Sequence, residues 1–170
     1  FELLRRNVAR NDLGSRVTIH HSDLRDAALL ASLGGGFDLV TGTPPYFPPD
    51  TAVDAMDEQR AYARIEYRGG VEDYLAAGAP LLAPGGTMVL CGDARAQARV
   101  ERGAAAAGLS IHACCEIIPH AGRPALFAIW TLRAAPGPLA CSTLTLRDAQ
   151  GARTDEARAL SAFSGFDGAR

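Results

Sequence analysis

The chain contains no lysine, so all 17 of its cationic side chains are arginine. A guanidinium forks onto phosphate or carboxylate where an ammonium acts only as a point charge. A surplus of positive charge is also absent. The net charge of −2 argues against a strongly basic, non-specific nucleic-acid binder and leaves room only for a local basic patch. No run of about 18 apolar residues occurs, so no membrane-spanning helix is expected. Cys91, Cys114, Cys115 and Cys141 form no CxxC pair and no ligand spacing, which indicates neither zinc nor a disulfide framework; buried free thiols are expected. His20, His21 and His112 lie in strand-like stretches without a partner at ligand spacing, so they receive no function and no metal is expected. There is no internal repeat. What is present is ordinary for one globular domain: 170 residues, 48% hydrophobic and 21% charged. A cytoplasmic monomer is the default expectation.

Hydrophobic periodicity divides the chain into alternating helices and strands. Residues 1–12 read as an amphipathic helix already in progress at Phe1, from which a preceding segment is expected. Arg16 to His21 reads as a short β-branched strand, and Ser22 or Asp23 as the cap of a helix carrying Leu24, Ala27, Leu30 and Ala31. Phe37 to Thr41 has the continuous apolar character of a strand covered on both faces. Residues 54–68 are charged and partly helical. Val71, Tyr74, Leu75, Leu81 and Leu82 make a helix face that Pro80 interrupts, and Pro84-Gly85-Gly86 turns the chain into a strand from Thr87 to Cys91. A helix over 94–107 precedes two strands, 109–118 and 125–132. The six residues joining them are too few for a crossover helix, so these two form an antiparallel hairpin.

The segment Phe37 to Pro49 carries the chemistry. An apolar strand runs into Thr43-Pro44-Pro45-Tyr46-Phe47, where two prolines fix φ, lack N–H groups and hold the chain extended. Their carbonyls are left to accept hydrogen bonds from a ligand, and Tyr46 and Phe47 add flat faces on which a planar group can stack. Acceptors beside an aromatic face suit an exocyclic amino group.

Thr43-Pro44-Pro45-Tyr46 resembles motif IV of the amino-methylating Rossmann-like methyltransferases, written Asn/Asp/Ser-Pro-Pro-Tyr/Phe/Trp at the end of the fourth strand. With the continuation Tyr46-Phe47-Pro48 and the downstream Ala63-Arg64-Ile65-Glu66, the chain is most similar to the bacterial tRNA adenine-N6 methyltransferases acting near the anticodon of a valine tRNA. The resemblance covers most of the chain. It implies an α/β fold: a doubly wound, mostly parallel sheet with an antiparallel C-terminal edge hairpin, whose first strands lie upstream of Phe1. Residues 1–133 would be the C-terminal two-thirds of that domain, and 134–170 a linker, a short strand and a polar helix packed on it.

The resemblance also implies S-adenosylmethionine as cofactor, its adenine beside Asp23 and the Leu24 N–H, with Thr43 close by. The Gly-rich turn and the acidic ribose ligand are expected upstream; Gly34-Gly35-Gly36 is no substitute, because it follows a helix and precedes a strand. Thr43, Pro44, Pro45 and Tyr46 become the catalytic set, with Tyr46 and Phe47 holding the substrate base. RNA, as tRNA, is the implied partner. Thr43 departs from the family pattern, since its hydroxyl is a shorter, β-branched acceptor than Asn. Arg64, Glu66 and Arg68 read as a solvated charge cluster, with bracing of the site loop or contact with phosphate as the alternatives; His120 and Arg123 mark the hairpin turn, read as a polar turn with RNA contact as the alternative. Two other functions stay open: glutamine methylation of a release factor, which presents the same planar amino group, and a non-catalytic module of the same fold.

Overall fold

A computed structural model describes residues 1–49 and 58–165. Five strands form one sheet: β1 (Phe37–Gly42), β2 (Leu82–Asp93), β3 (Ser110–Ile118), β4 (Phe127–Arg133) and β5 (Ala140–Thr145), in the order β1-β2-β4-β3-β5. β1 runs parallel to β2, β3 runs parallel to β5, and β4 lies antiparallel between β2 and β3. Four strands therefore point one way, and the reversed strand sits inside the sheet because β5 continues it beyond β3. The helices are α1 (Glu2–Arg10), α2 (Ala27–Leu33), α3 (Glu58–Arg64), α4 (Val71–Gly78), α5 (Gln97–Ala106) and α6 (Asp155–Phe163). No helix among the described residues is long and apolar enough to cross a membrane.

The core lies between the sheet and the pair α4 and α5. Met88 and Leu90 on β2 stand opposite Leu132 and Trp130 on β4, so the two-residue alternation puts all four on one face. Val71 and Leu75 of α4 and Val100 and Ala104 of α5 close over them. Burying a side chain of this size stabilises the fold by about 1.5–3 kcal/mol. Trp130 is fully buried, and its indole N–H donates to the Gln97 side chain, which removes the cost of an unsatisfied polar atom.

Several expectations are corrected. Residues 17–21 form no strand: among the described strands β1 pairs only with β2, and an extended segment without a ladder partner is not a strand. The cap of α2 is Asp26, whose carboxylate accepts from the Ala28 and Leu29 N–H groups, while Asp23 turns to Arg25 and the Ser22 hydroxyl donates to Asp26. Leu24 lies ahead of that helix. Neither α1 nor α2 contains a buried residue, and Phe37 and Leu39 of β1 are exposed, so this strand is not covered on both faces. Pro80 ends α4 in a short 3₁₀ turn over 79–81; Leu82 already belongs to β2, and Pro84-Gly85-Gly86 is an irregularity within that strand, where the register against β1 jumps. All four thiols are free, but only Cys114 is buried and Cys141 is exposed. Of the expected charged segment 54–68, residues 54–57 lie outside the described residues.

Candidate active site

β1 delivers the chain to the carboxyl end of the sheet. It ends at Gly42, where the packing calls for glycine: a Cβ there would stand 2.8 Å from both a Leu90 methyl and the Tyr74 ring. Beyond it the prolines contribute no N–H groups, and pairing resumes at Tyr46 and Phe47, whose N–H groups both donate to the Arg64 carbonyl at 3.1 and 3.0 Å. The Glu66 N–H returns a bond to the Phe47 carbonyl at 2.9 Å, making one rung of parallel pairing between Phe47 and the buried Ile65. The segment 63–66 is thus the backbone partner of the site loop. Pro44 is buried and Thr43 exposed, and among the described residues neither the Thr43 hydroxyl nor the Pro44 carbonyl has a hydrogen-bond partner.

Glu66 is no solvated charge. Its side chain is 9% exposed and accepts from Arg99 Nη1 and Nη2 at 2.8 and 2.9 Å, while Arg99 Nε and Nη2 also reach Glu72 at 2.8 and 2.6 Å. One guanidinium therefore ties the loop to α4 and α5. The Arg99 hydrogen bonds hold the Glu72 carboxyl below the usual carboxylate range and raise Arg99. Gly70 makes room for this pairing: a Cβ there would lie 2.7 Å from Arg99 Nη2 and from the Glu66 carboxylate.

Two cavities flank the loop. The first, about 420 Å³, is lined by Asp23, Leu24, Pro45 and Tyr74, with His21, Ser22, Tyr62, Arg68 and Gly69. Arg68 sits 4.4 Å over the Tyr62 ring, and His21 is stacked on Phe1 at 4.6 Å. Arg25 occupies much of the Asp23 carboxylate, with three hydrogen bonds at 2.7–2.9 Å, and holds it well below the usual carboxylate range.

The second cavity, about 650 Å³, is largely apolar. Thr43, Pro44, Tyr46 and Phe47 form one wall, and Pro124, Ala125, Leu126 and Phe127 from the β3–β4 turn form another. The register explains this, because Phe127 stands opposite Asp93 at the carboxyl end of β2. The turn carrying His120 and Arg123 therefore emerges at the site end. Tyr46 points its hydroxyl to Cys91 Sγ at 3.3 Å; burial first, and then this bond, push the phenol up to about 12. Asp93 is 9% exposed and is held below the usual carboxylate range by its hydrogen bonds from Arg95.

Among solved structures, a predicted O-methyltransferase from Agrobacterium tumefaciens superposes with a TM-score of 0.69 at 17% identity, covering 97% of this chain and 72% of that one. The fold is that of a class I methyltransferase. In sequence, the tRNA1(Val) (adenine(37)-N6)-methyltransferases of two Porphyromonas gingivalis strains are 32% identical over 90 residues, which is 52% of this chain and 34% of each relative. The chain spans about a third of the length of these curated relatives. No family model matches it.

Within this methyltransferase fold, the structure gathers Thr43, Pro44, Pro45, Tyr46 and Phe47 at one sheet end and puts Asp23 and Leu24 on a cavity that Pro45 also lines. Sequence reasoning missed Asp93, Arg95, Arg99 and Tyr74. Asp93 was within reach of the rule that ligands gather beyond strand carboxyl ends, since it closes β2. Arg99 was not, because its carboxylate partners lie 27 and 33 residues away.

Proposed function

We propose that the protein is an S-adenosylmethionine-dependent adenine-N6 methyltransferase acting on tRNA. The observation that carries this is the position of two acceptors without a partner among the described residues, the Thr43 hydroxyl and the Pro44 carbonyl, on a loop with a mixed polar and apolar cavity on one side and an apolar, aromatic-walled one on the other. The sequence similarity to tRNA adenine-N6 methyltransferases supports the substrate class.

The first cavity fits the cofactor's adenine. A carboxylate offers about four acceptor sites and Arg25 fills three at Asp23, so one remains for an amino proton. The Leu24 N–H makes no hydrogen bond among the described residues and is free for a ring nitrogen. S-adenosylmethionine supplies an electrophilic sulfonium methyl group. Asp23 and Leu24 would hold its adenine, and Thr43, which lines the apolar cavity across the loop, would face the reacting end.

On the other side, Tyr46 and Phe47 stack the base. An adenine amino group is a poor nucleophile because its lone pair is delocalised into the ring. Two acceptors placed for its two hydrogens favour a pyramidal nitrogen with the lone pair released, a contribution of orientation and electrostatics that requires no strong base. The neutral Tyr46 phenol, held by Cys91, keeps its ring at the wall without adding a charge.

The test is methyl transfer from labelled S-adenosylmethionine to unmodified tRNA, followed by nucleoside digestion. N6-methyladenosine is expected. Label on a release-factor glutamine instead supports the amide reading, and no transfer to either by folded protein supports a non-catalytic module.

A further inference from the structure

Two arginines border the apolar cavity, and their surroundings differ from those of the other cations near the loop. Arg95 lies beside Asp93 and donates through its backbone N–H, Nε and Nη2 at 2.6–3.2 Å, so the guanidinium is fixed in a fork although its side chain is 79% exposed. Arginine has five N–H donors in that plane. Nε and one Nη2 hydrogen are spent on Asp93, which leaves Nη1 and the other Nη2 hydrogen pointing away from the carboxylate with no partner among the described residues. Arg64 is exposed and sits 5.7 Å over the Phe47 ring, and its guanidinium makes no hydrogen bond or ion pair among the described residues. Arg99, by contrast, gives four of its five N–H donors to two carboxylates.

Both arginines line the cavity walled by Tyr46 and Phe47. Among the described residues Asp93 is the one carboxylate on that lining and is already engaged by Arg95, so the charge that these residues leave uncompensated there is positive, on a chain that is negative as a whole. Apolar walls receive a planar base, and fixed cations with free donors at its border suit the phosphates on either side of that base. A side-chain amide on a protein substrate carries no such flanking anions.

We propose that Arg95 and Arg64 are phosphate-binding residues at the mouth of this cavity, so that the substrate enters as a base on a phosphodiester strand. The inference rests on the adenine reading of the cavity and names the chemistry attached to the base. Arg95 acts through a preorganised bidentate face, and Arg64 is steadied by the Phe47 ring.

The test is the salt dependence of binding of a fluorescent RNA hairpin with an unpaired loop adenine, compared for the unaltered chain, Arg95→Gln, Arg64→Gln and the control Arg102→Gln on α5. Each lost phosphate contact lowers the magnitude of the log K against log salt slope by about 0.7 for unpaired RNA. Arg95→Gln and Arg64→Gln are expected to lower it by that amount each and to weaken binding severalfold at low salt, with Arg102→Gln unchanged. Because Arg64 pairs with no carboxylate among the described residues, its variant keeps the test valid if Arg95→Gln fails to fold. Unchanged slopes in both variants, or no RNA binding at all, overturn the proposal. Transfer to free adenosine, assayed in parallel, judges the adenine reading separately: transfer with unchanged slopes sinks the phosphate pair alone, whereas transfer only to a glutamine peptide sinks both.

Discussion

The two cavities beside the Thr43–Phe47 loop rest on unequal foundations. The apolar one is built on the ends of β2 and β4, the strands that carry Leu90 and Trp130 in the core, and its loop is locked by Arg99. The more polar one leans on residues 21–24, between two helices that bury nothing and beside a strand whose Phe37 and Leu39 are exposed. The side proposed to hold the base is therefore preorganised by the fold, while the cofactor side draws little rigidity from the described residues around it.

The largest effect that sharpens this contrast is on stability. Trp130→Ala is expected to cost about 3–5 kcal/mol in denaturant unfolding, whereas Leu39→Ala, at a side chain 57% exposed, should stay within about 0.5 kcal/mol. Equal costs would remove the distinction. Next is the lock itself. Arg99→Met leaves Glu66 unpaired in a nearly buried position and should destabilise by about 2–3 kcal/mol. Amide exchange at Tyr46 and Phe47 should accelerate more than at Leu24; uniform acceleration would reduce Arg99 to a general stabiliser. On the cofactor side, Asp23→Ala should weaken S-adenosylmethionine binding about tenfold by calorimetry, the size of one hydrogen bond to a charged group, with the unfolding midpoint unmoved.

The smallest effects are in pH. Asp93 and Glu72 are held low by Arg95 and Arg99, so their contribution is present above the unfolded carboxylate range near about 4 and is lost as pH falls through their lower folded values. Tyr46 is raised to about 12, so its contribution is complete below the unfolded tyrosine value of about 10 and fades as pH climbs toward 12. Absorbance titration should show a late-ionising phenol that Tyr46→Phe removes.

How much of this was legible depended on the range of the interaction. Phe37 to Thr41 gave a strand by apolar run, and the six-residue link after Ile118 gave a hairpin, because both are local patterns; β3 and β4 pair as expected. Thr43 to Phe47 stood out because prolines and aromatics following a strand are unusual without a site. Arg16 to His21 misled because β propensity describes a side chain's fit to a sheet, and these residues pair with no described strand although β1 lies at the sheet edge. The Glu66–Arg99–Glu72 tie was invisible since it joins charges from three separate segments, and in sequence each looks like a solvated surface residue.

The most direct test of the central claim, that Thr43 and Pro44 receive the two amino hydrogens of the reacting base, is single-turnover methyl transfer to tRNA by Thr43→Ala and Thr43→Asn beside the unaltered protein. The account predicts that Thr43→Ala lowers the rate on the order of 10²-fold with tRNA affinity unchanged, and that Thr43→Asn, which restores a side-chain acceptor, recovers it. Equal rates in all three would show that the side chain at this position takes no part in the chemistry.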